Sequence, residues 1–238
     1  MPYDIIIGRD EEDRKKFGKE AAIFLGKGYV KMGQTTSLSN NIFLDINRPH
    51  VILVSGKRGS GKSYSLSVIA EEISNLKEDL SKKISFLIFD TMGIFWTMKY
   101  PNERQRDLLE EWSLEPKGFD VKMFVPGGFY KFYKEKEIPS DYIFSIKTND
   151  LNAADWCNTF NIELTSPIGA LIERIIKRLK ETKKIYSIKD IINDIEGDKT
   201  SEQSIRNAAL NRFLAAEDWG LFEEYGTNLD ELIKAGQI

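Results

Sequence analysis

The octapeptide Gly56-Lys57-Arg58-Gly59-Ser60-Gly61-Lys62-Ser63 constrains this chain more than any other stretch. Its G-x-x-x-x-G-K-[ST] spacing suits a backbone that turns tightly and aims several N–H groups at one anion. Glycine takes the conformations this needs without a Cβ penalty. The flanks agree with that reading. His50-Val51-Ile52-Leu53-Val54-Ser55 has the β-branched, apolar character of a short strand, and residues 64–73 place apolar side chains at helical spacing. Strand, glycine loop and helix in that order predict a phosphate cradle at a helix N-terminus, where free first-turn N–H groups and the positive end of the dipole add to the loop. Lys62 is expected to reach the β- and γ-phosphates of a nucleoside triphosphate, and the Ser63 hydroxyl to complete a Mg²⁺ shell. The expected binding set is Gly56, Lys57, Arg58, Gly59, Ser60, Gly61, Lys62, Ser63 and Tyr64.

Composition narrows the alternatives. At 238 residues, with 30% charged and 41% hydrophobic, the chain has the balance of one α/β domain with an appendage or of two small domains. No apolar run approaches the roughly 18 residues of a membrane span. The N-terminal region, with Glu11-Glu12-Asp13 close to its start, lacks the basic and apolar parts of a signal peptide, so a cytoplasmic location without membrane is expected. A single cysteine, Cys157, excludes an internal disulfide and is expected to be a small buried side chain beside Trp156. His50 is the only histidine, so neither Ser-His-Asp chemistry nor a histidine zinc site is available within the chain. The net charge of −3 argues against a broad basic surface for duplex DNA, although a locally basic surface inside a ring is compatible with it.

Along the chain, residues 1–45 form a small β-rich entry element with strands expected at 5–8, 21–30 and 38–45. Residues 46–238 form the nucleotide domain. Ile84-Ser85-Phe86-Leu87-Ile88-Phe89-Asp90 predicts a second buried strand after the loop helix, and together they predict a βαβ unit in a parallel sheet. Residues 103–112 are helical, and further strands are expected at 120–128 and 141–146. A helical insertion follows at about 150–225. Within it, Ile168, Leu171, Ile172, Ile175, Ile176 and Leu179 make one apolar stripe, while Arg174, Lys177, Arg178, Lys180, Lys183 and Lys184 lie mainly off it. Those bases fit a solvated helix face or, alternatively, a surface for nucleic acid or an acidic partner. Residues 228–234 read as a helix stopped at Ala235-Gly236, and Gln237-Ile238 as the first step of a strand, so the domain is expected to continue past the last residue.

A triphosphate hydrolase also needs an acid at a strand end to hold the Mg²⁺ water shell. Asp90, closing Phe86-Leu87-Ile88-Phe89, is the candidate catalytic and metal-side residue, and a structural strand-end role is the competing reading. No second acid follows it in Thr91-Met92-Gly93-Ile94-Phe95-Trp96, and neither a guanine-specificity motif nor a kinase lid signature is visible.

Residues 50–64 and Phe89-Asp90-Thr91-Met92-Gly93-Ile94-Phe95-Trp96 resemble the nucleotide loop and strand-end acid of HerA-like ATPases, the FtsK–HerA group of RecA-like motors. Residues 211–222 and 228–238 are similar to the segment before that family's next core strand. The resemblance covers roughly residues 22–238. It implies an α/β fold of RecA-like P-loop type with a mostly parallel sheet, preceded by the short β-rich N-terminal element. It implies ATP and Mg²⁺ as cofactors, Lys62 and Asp90 as catalytic residues, and Ser63 and Asp90 at the metal. It further implies a homo-hexameric translocase or helicase on double-stranded DNA, with a nuclease partner. In the family layout the strand bearing a paired Asp-Glu lies past Ile238, so the chain alone is expected to bind nucleotide and hydrolyse it poorly. Arg206 and Arg212 are candidates for the arginine that reaches a neighbouring subunit, against surface or packing roles. Two other readings stand beside this one: a small-molecule or nucleotide kinase with Asp90 at its metal, and a non-catalytic nucleotide-sensing module.

Overall fold

A computed structural model describes residues 3–234. It divides into two compact units, one running to Val121 and taking in Ile233 and Lys234, the other spanning Lys122–Leu232. The fold is mixed α/β, with small sheets that include parallel pairs. Among the described residues no helix is long and apolar enough to cross a membrane.

The first unit starts with β1 (Ile5–Ile7), α1 (Glu11–Phe17), β2 (Ala22–Met32) and β3 (Thr35–Asp45). β3 lies in the middle of a three-stranded sheet, parallel to β1 and antiparallel to β2. Gly33, at φ +63°, and Gln34 join β2 to β3 in a two-residue turn. A glycine leading such a turn supplies the backbone twist that hairpin strands need. Ile23 and Leu44 are buried opposite each other in this sheet. The loop helix α2 (Lys62–Ser74) packs its buried Ala70 inward, and the short helices α3 (Glu78–Ser81) and α4 (Arg106–Glu111) complete the unit.

Two expected strands take a different form. Residues 50–55 and 84–90 carry no strand ladder to any described segment. Val51, Leu53 and Phe89 are 104%, 90% and 84% exposed, respectively. The reason is physical: an unbroken β-branched run reports that a segment suits a strand flanked on both sides, but it encodes no partner, and pairing is a non-local property.

The second unit opens with β4 (Phe124–Pro126), α5 (Tyr130–Glu135), β5 (Tyr142–Phe144) and β6 (Ile146–Lys147). β4 pairs with β5 in parallel, Phe124 stacking on Tyr142 with ring centroids 4.9 Å apart. The helices α6 (Ala153–Thr159), α7 (Pro167–Thr182), α8 (Ile188–Glu196) and α9 (Gln203–Asp218) follow. Then β7 (Phe222–Glu223) pairs in parallel with β6, ahead of α10 (Leu229–Leu232). The short strands β4 and β5 fall inside the spans expected from sequence, 120–128 and 141–146, while β6 begins at the last residue of the second span and runs one residue past it. The expected step at Gln237-Ile238 lies outside the described residues.

Side-chain caps start α6, α7 and α8, whereas α9 begins without one. Ser166 caps α7 by accepting from the Gly169 N–H at 3.1 Å, with Pro167 in the first turn. Asn152 and Asp155 form a reciprocal capping box on α6, as Ser187 and Asp190 do on α8. Leu171, Ile172, Ile175, Ile176 and Leu179 then face Ile188, Ile191, Ile192 and Ile195 and the α9 residues Ala209, Phe213 and Ala216 in one buried cluster. Trp156 fills its middle, with ring centroids 5.0 Å from Phe213 and 4.8 Å from Phe222. Each fully buried large aliphatic contributes about 1.5–3 kcal/mol, so this cluster is the main source of the unit's stability. Cys157 is buried beside Trp156 and burial pushes its thiol pKa up, as befits an inert packing residue.

Candidate phosphate-binding site

The glycine loop occupies residues 56–61 and runs directly into α2. Its glycines have separate jobs. Gly59 and Gly61 sit at φ +78° and +88°, where a side chain costs about 1–2 kcal/mol. At Gly56 an added Cβ would lie 2.4 Å from Ser60 Oγ, so that position is held open by close approach. Ser60 N donates to the Lys57 carbonyl at 3.2 Å and closes the turn.

Gly61 is the N-cap of α2 and offers no side chain to the helix. The first intrahelical bond runs from Ser65 N to Gly61 O at 2.9 Å. The N–H groups of Lys62, Ser63 and Tyr64 precede that bond, so they are the first-turn donors that a helix start leaves without an intrahelical acceptor. No acidic side chain stands in the first turn to compete for them. Lys62 Nζ folds over the loop and donates to the carbonyl oxygens of Gly56 and Lys57, each at 2.9 Å. An ammonium has three donors, so a third remains for an anion set against the helix start. Lys57, Arg58, Ser63 and Tyr64 are exposed around it. Donors, glycine geometry and surface cations thus converge on one small region, and the carbonyls are turned toward Lys62. Further along α2, burial raises the pKa of Glu71 and Glu72, with the charge of Glu72 adding to the shift at Glu71.

Asp90 is placed differently. Its Oδ2 accepts from Phe95 N at 2.8 Å and its Oδ1 from Met92 N at 3.3 Å, around Gly93 at φ +63°. The carboxylate therefore organises its own aspartate–glycine turn, and none of its hydrogen bonds among the described residues reaches the loop.

A second carboxylate escaped the sequence reading. Asp45, at the end of β3, is 2% exposed. It accepts from Arg9 Nε at 2.9 Å, His50 Nε2 at 2.9 Å, Arg48 N at 3.2 Å and Asn47 N at 3.4 Å, and it also pairs with Arg9 Nη2. Burial opposes its ionisation, but the hydrogen bonds from His50, Arg9 and Asn47 outweigh burial and hold its pKa below the usual range. Asp45 thereby fixes residues 47–50, the lead-in to residues 51–56. The only sequence signal was the pattern shared with Asp90, an apolar strand closed by aspartate.

The two candidate trans-acting arginines and half of the basic face, Arg174, Arg178 and Lys183, are engaged within the chain. Arg206 donates to the carbonyls of Asp198 and Ser201, and Arg212 to that of Ala208. Arg174 pairs with Asp198, Arg178 with Asp194 and Lys183 with Asp190, which supports a structural, solvated face for α7.

Comparison with known proteins places this loop in a family. The family described as Helicase HerA, central domain, matches residues 30–231, most of the chain. No curated protein and no solved structure matches it.

Proposed function

Because the chain belongs to the HerA helicase central-domain family, we propose that it is the ATP-binding domain of a HerA-like DNA translocase or helicase. In this reading residues 1–45 are the entry element and residues 46–238 the RecA-like ATPase domain, acting on double-stranded DNA in the cytoplasm as a homo-hexamer with a nuclease partner. The observation that carries it is the loop itself: three glycines whose geometry leaves a backbone cradle ahead of α2, with first-turn N–H donors and Lys62 converging on it. That donor set fits a triphosphate, since an anion there gains charge-assisted hydrogen bonds and a helix dipole at once.

The backbone of residues 59–63 would hold the phosphates and Lys62 would neutralise their charge, exchanging or sharing its bonds to Gly56 and Lys57. Ser63 would present its hydroxyl to Mg²⁺. Asp90, whose oxygens each accept one N–H, from Met92 and Phe95, and keep further lone pairs, would hold the water shell on the metal side. Bound Mg²⁺–ATP supplies the phosphoanhydride whose hydrolysis drives subunits relative to one another.

The test is nucleotide binding. Lys62→Ala removes a charge-assisted contact worth about 1.5–3 kcal/mol, so the affinity for a fluorescent ATP analogue with Mg²⁺ should fall at least tenfold. Equal affinities for the parent chain and the variant would remove the loop from the argument.

A further inference from the structure

The distal half of the β2–β3 hairpin stands apart in structure and in charge. β1 covers only Ile42–Leu44 of β3, so the pairing from Lys27↔Asn41 to Met32↔Thr35 forms a two-stranded ribbon without a third strand. Such ribbons are marginal alone, yet this one keeps Tyr29 71% exposed and Leu38 54% exposed, opposite each other in the register. This pair lies midway along the ribbon, between the Lys27↔Asn41 and Met32↔Thr35 positions.

Charge identifies the partner. The chain has 37 carboxylates, yet none falls in the 24 residues from Ala21 to Leu44, where Lys27 and Lys31 are the only charges. The exposed tip otherwise carries hydroxyl and amide groups, among them those of Gln34 and Ser37. Lysines with neutral hydrogen-bonding side chains and no carboxylates match the contacts that proteins make to a sugar–phosphate backbone. Lys27 Nζ lies 5.5 Å from the centroid of the Trp112 ring, which braces the base of the ribbon and leaves Lys31 toward the tip.

We propose that this ribbon is a docking arm for the phosphate backbone of duplex DNA, reading no sequence. The inference rests on the DNA reading above and assigns the contact to a specific surface. Each phosphate neutralised by a lysine releases counterion and contributes about 0.9 to the slope of log affinity against log salt.

The experiment uses the full chain and a labelled duplex, followed by fluorescence anisotropy between about 50 and 200 mM salt, the range over which phosphate contacts reveal themselves. Lys31→Gln should lower the slope by about 0.9, and Lys27→Gln with Lys31→Gln by about 1.8. Lys177→Gln with Lys180→Gln, the same charge change on the exposed face of α7, is the control and should leave the slope as it was. Because Lys31 is exposed at the tip, its change spares the packing of Lys27 on Trp112. An unchanged slope in both ribbon variants, or an equal drop in the control, overturns the docking arm while DNA binding by the parent chain still stands. Absence of salt-dependent duplex binding by the parent chain overturns both the arm and the DNA reading. Loss of self-association in the ribbon variants with DNA affinity intact assigns the ribbon to protein contacts and also overturns the proposal.

Discussion

Replacing Asp45 by alanine tests how the sheet of the first unit is anchored. The Arg9 side chain is fully buried against Asp45, itself 2% exposed. Removing one partner of a buried ion pair costs roughly 3–5 kcal/mol, because the remaining charge loses its compensation. Here the low end applies. Arg9 keeps its bonds to the carbonyls of Gly18 at 2.8 Å and Glu20 at 2.7 Å, so its N–H groups are not all orphaned. Asp45→Ala is therefore expected to destabilise the first unit by about 3 kcal/mol, and Asp45→Asn, which keeps one acceptor oxygen but sets an NH2 donor in place of the other, by somewhat less. Hydrogen exchange of the β1, β2 and β3 amides, together with urea denaturation, reads this directly. The sign with pH follows from the depressed pKa of Asp45. Its stabilisation is present above the unfolded carboxylate value of roughly 4 and is lost as pH falls through the lower folded value. Asp45→Ala should remove that part of the acid sensitivity. A loss below about 1 kcal/mol at neutral pH, or an acid profile identical to that of the parent chain, refutes the reasoning.

Two further changes probe the second unit. Gly169→Ala places a Cβ 2.4 Å from the carbonyl oxygens of Glu163 and Leu164, both backbone atoms, so thermal denaturation should show a loss of about 2–3 kcal/mol; a neutral result contradicts the packing at the start of α7. Tyr186 is fully buried with no protein partner for its hydroxyl, and burial, then the charge of Asp150, pushes its pKa up to about 12. Tyr186→Phe should thus be neutral or stabilising by up to about 1 kcal/mol, and a loss of 2 kcal/mol or more in denaturant titration would refute the absence of a partner.

What the sequence discloses and what it withholds divide along one physical line. The stripe of α7 is legible because its period is local, and five of its six residues are fully buried. Ser166, Asn152 and Ser187 are cap residues at the positions where their types predict caps. The glycine loop is legible for the same reason: Gly56, Gly59 and Gly61 are demanded by conformations and contacts made within six residues. Pairing is not local. The apolar runs at 50–55 and 84–90 suit strands, but nothing in them names a neighbour, and they carry no ladder here. Asp45 is the sharpest case, since its burial depends on Arg9, 36 residues upstream. By pattern Asp45 and Asp90 are twins, each closing an apolar run. By environment they differ: one is a saturated buried anchor, the other a half-exposed carboxylate holding a turn. Whether an aspartate that closes an apolar run becomes a buried anchor or the acceptor of its own turn is therefore decided by tertiary pairing rather than by the residues beside it.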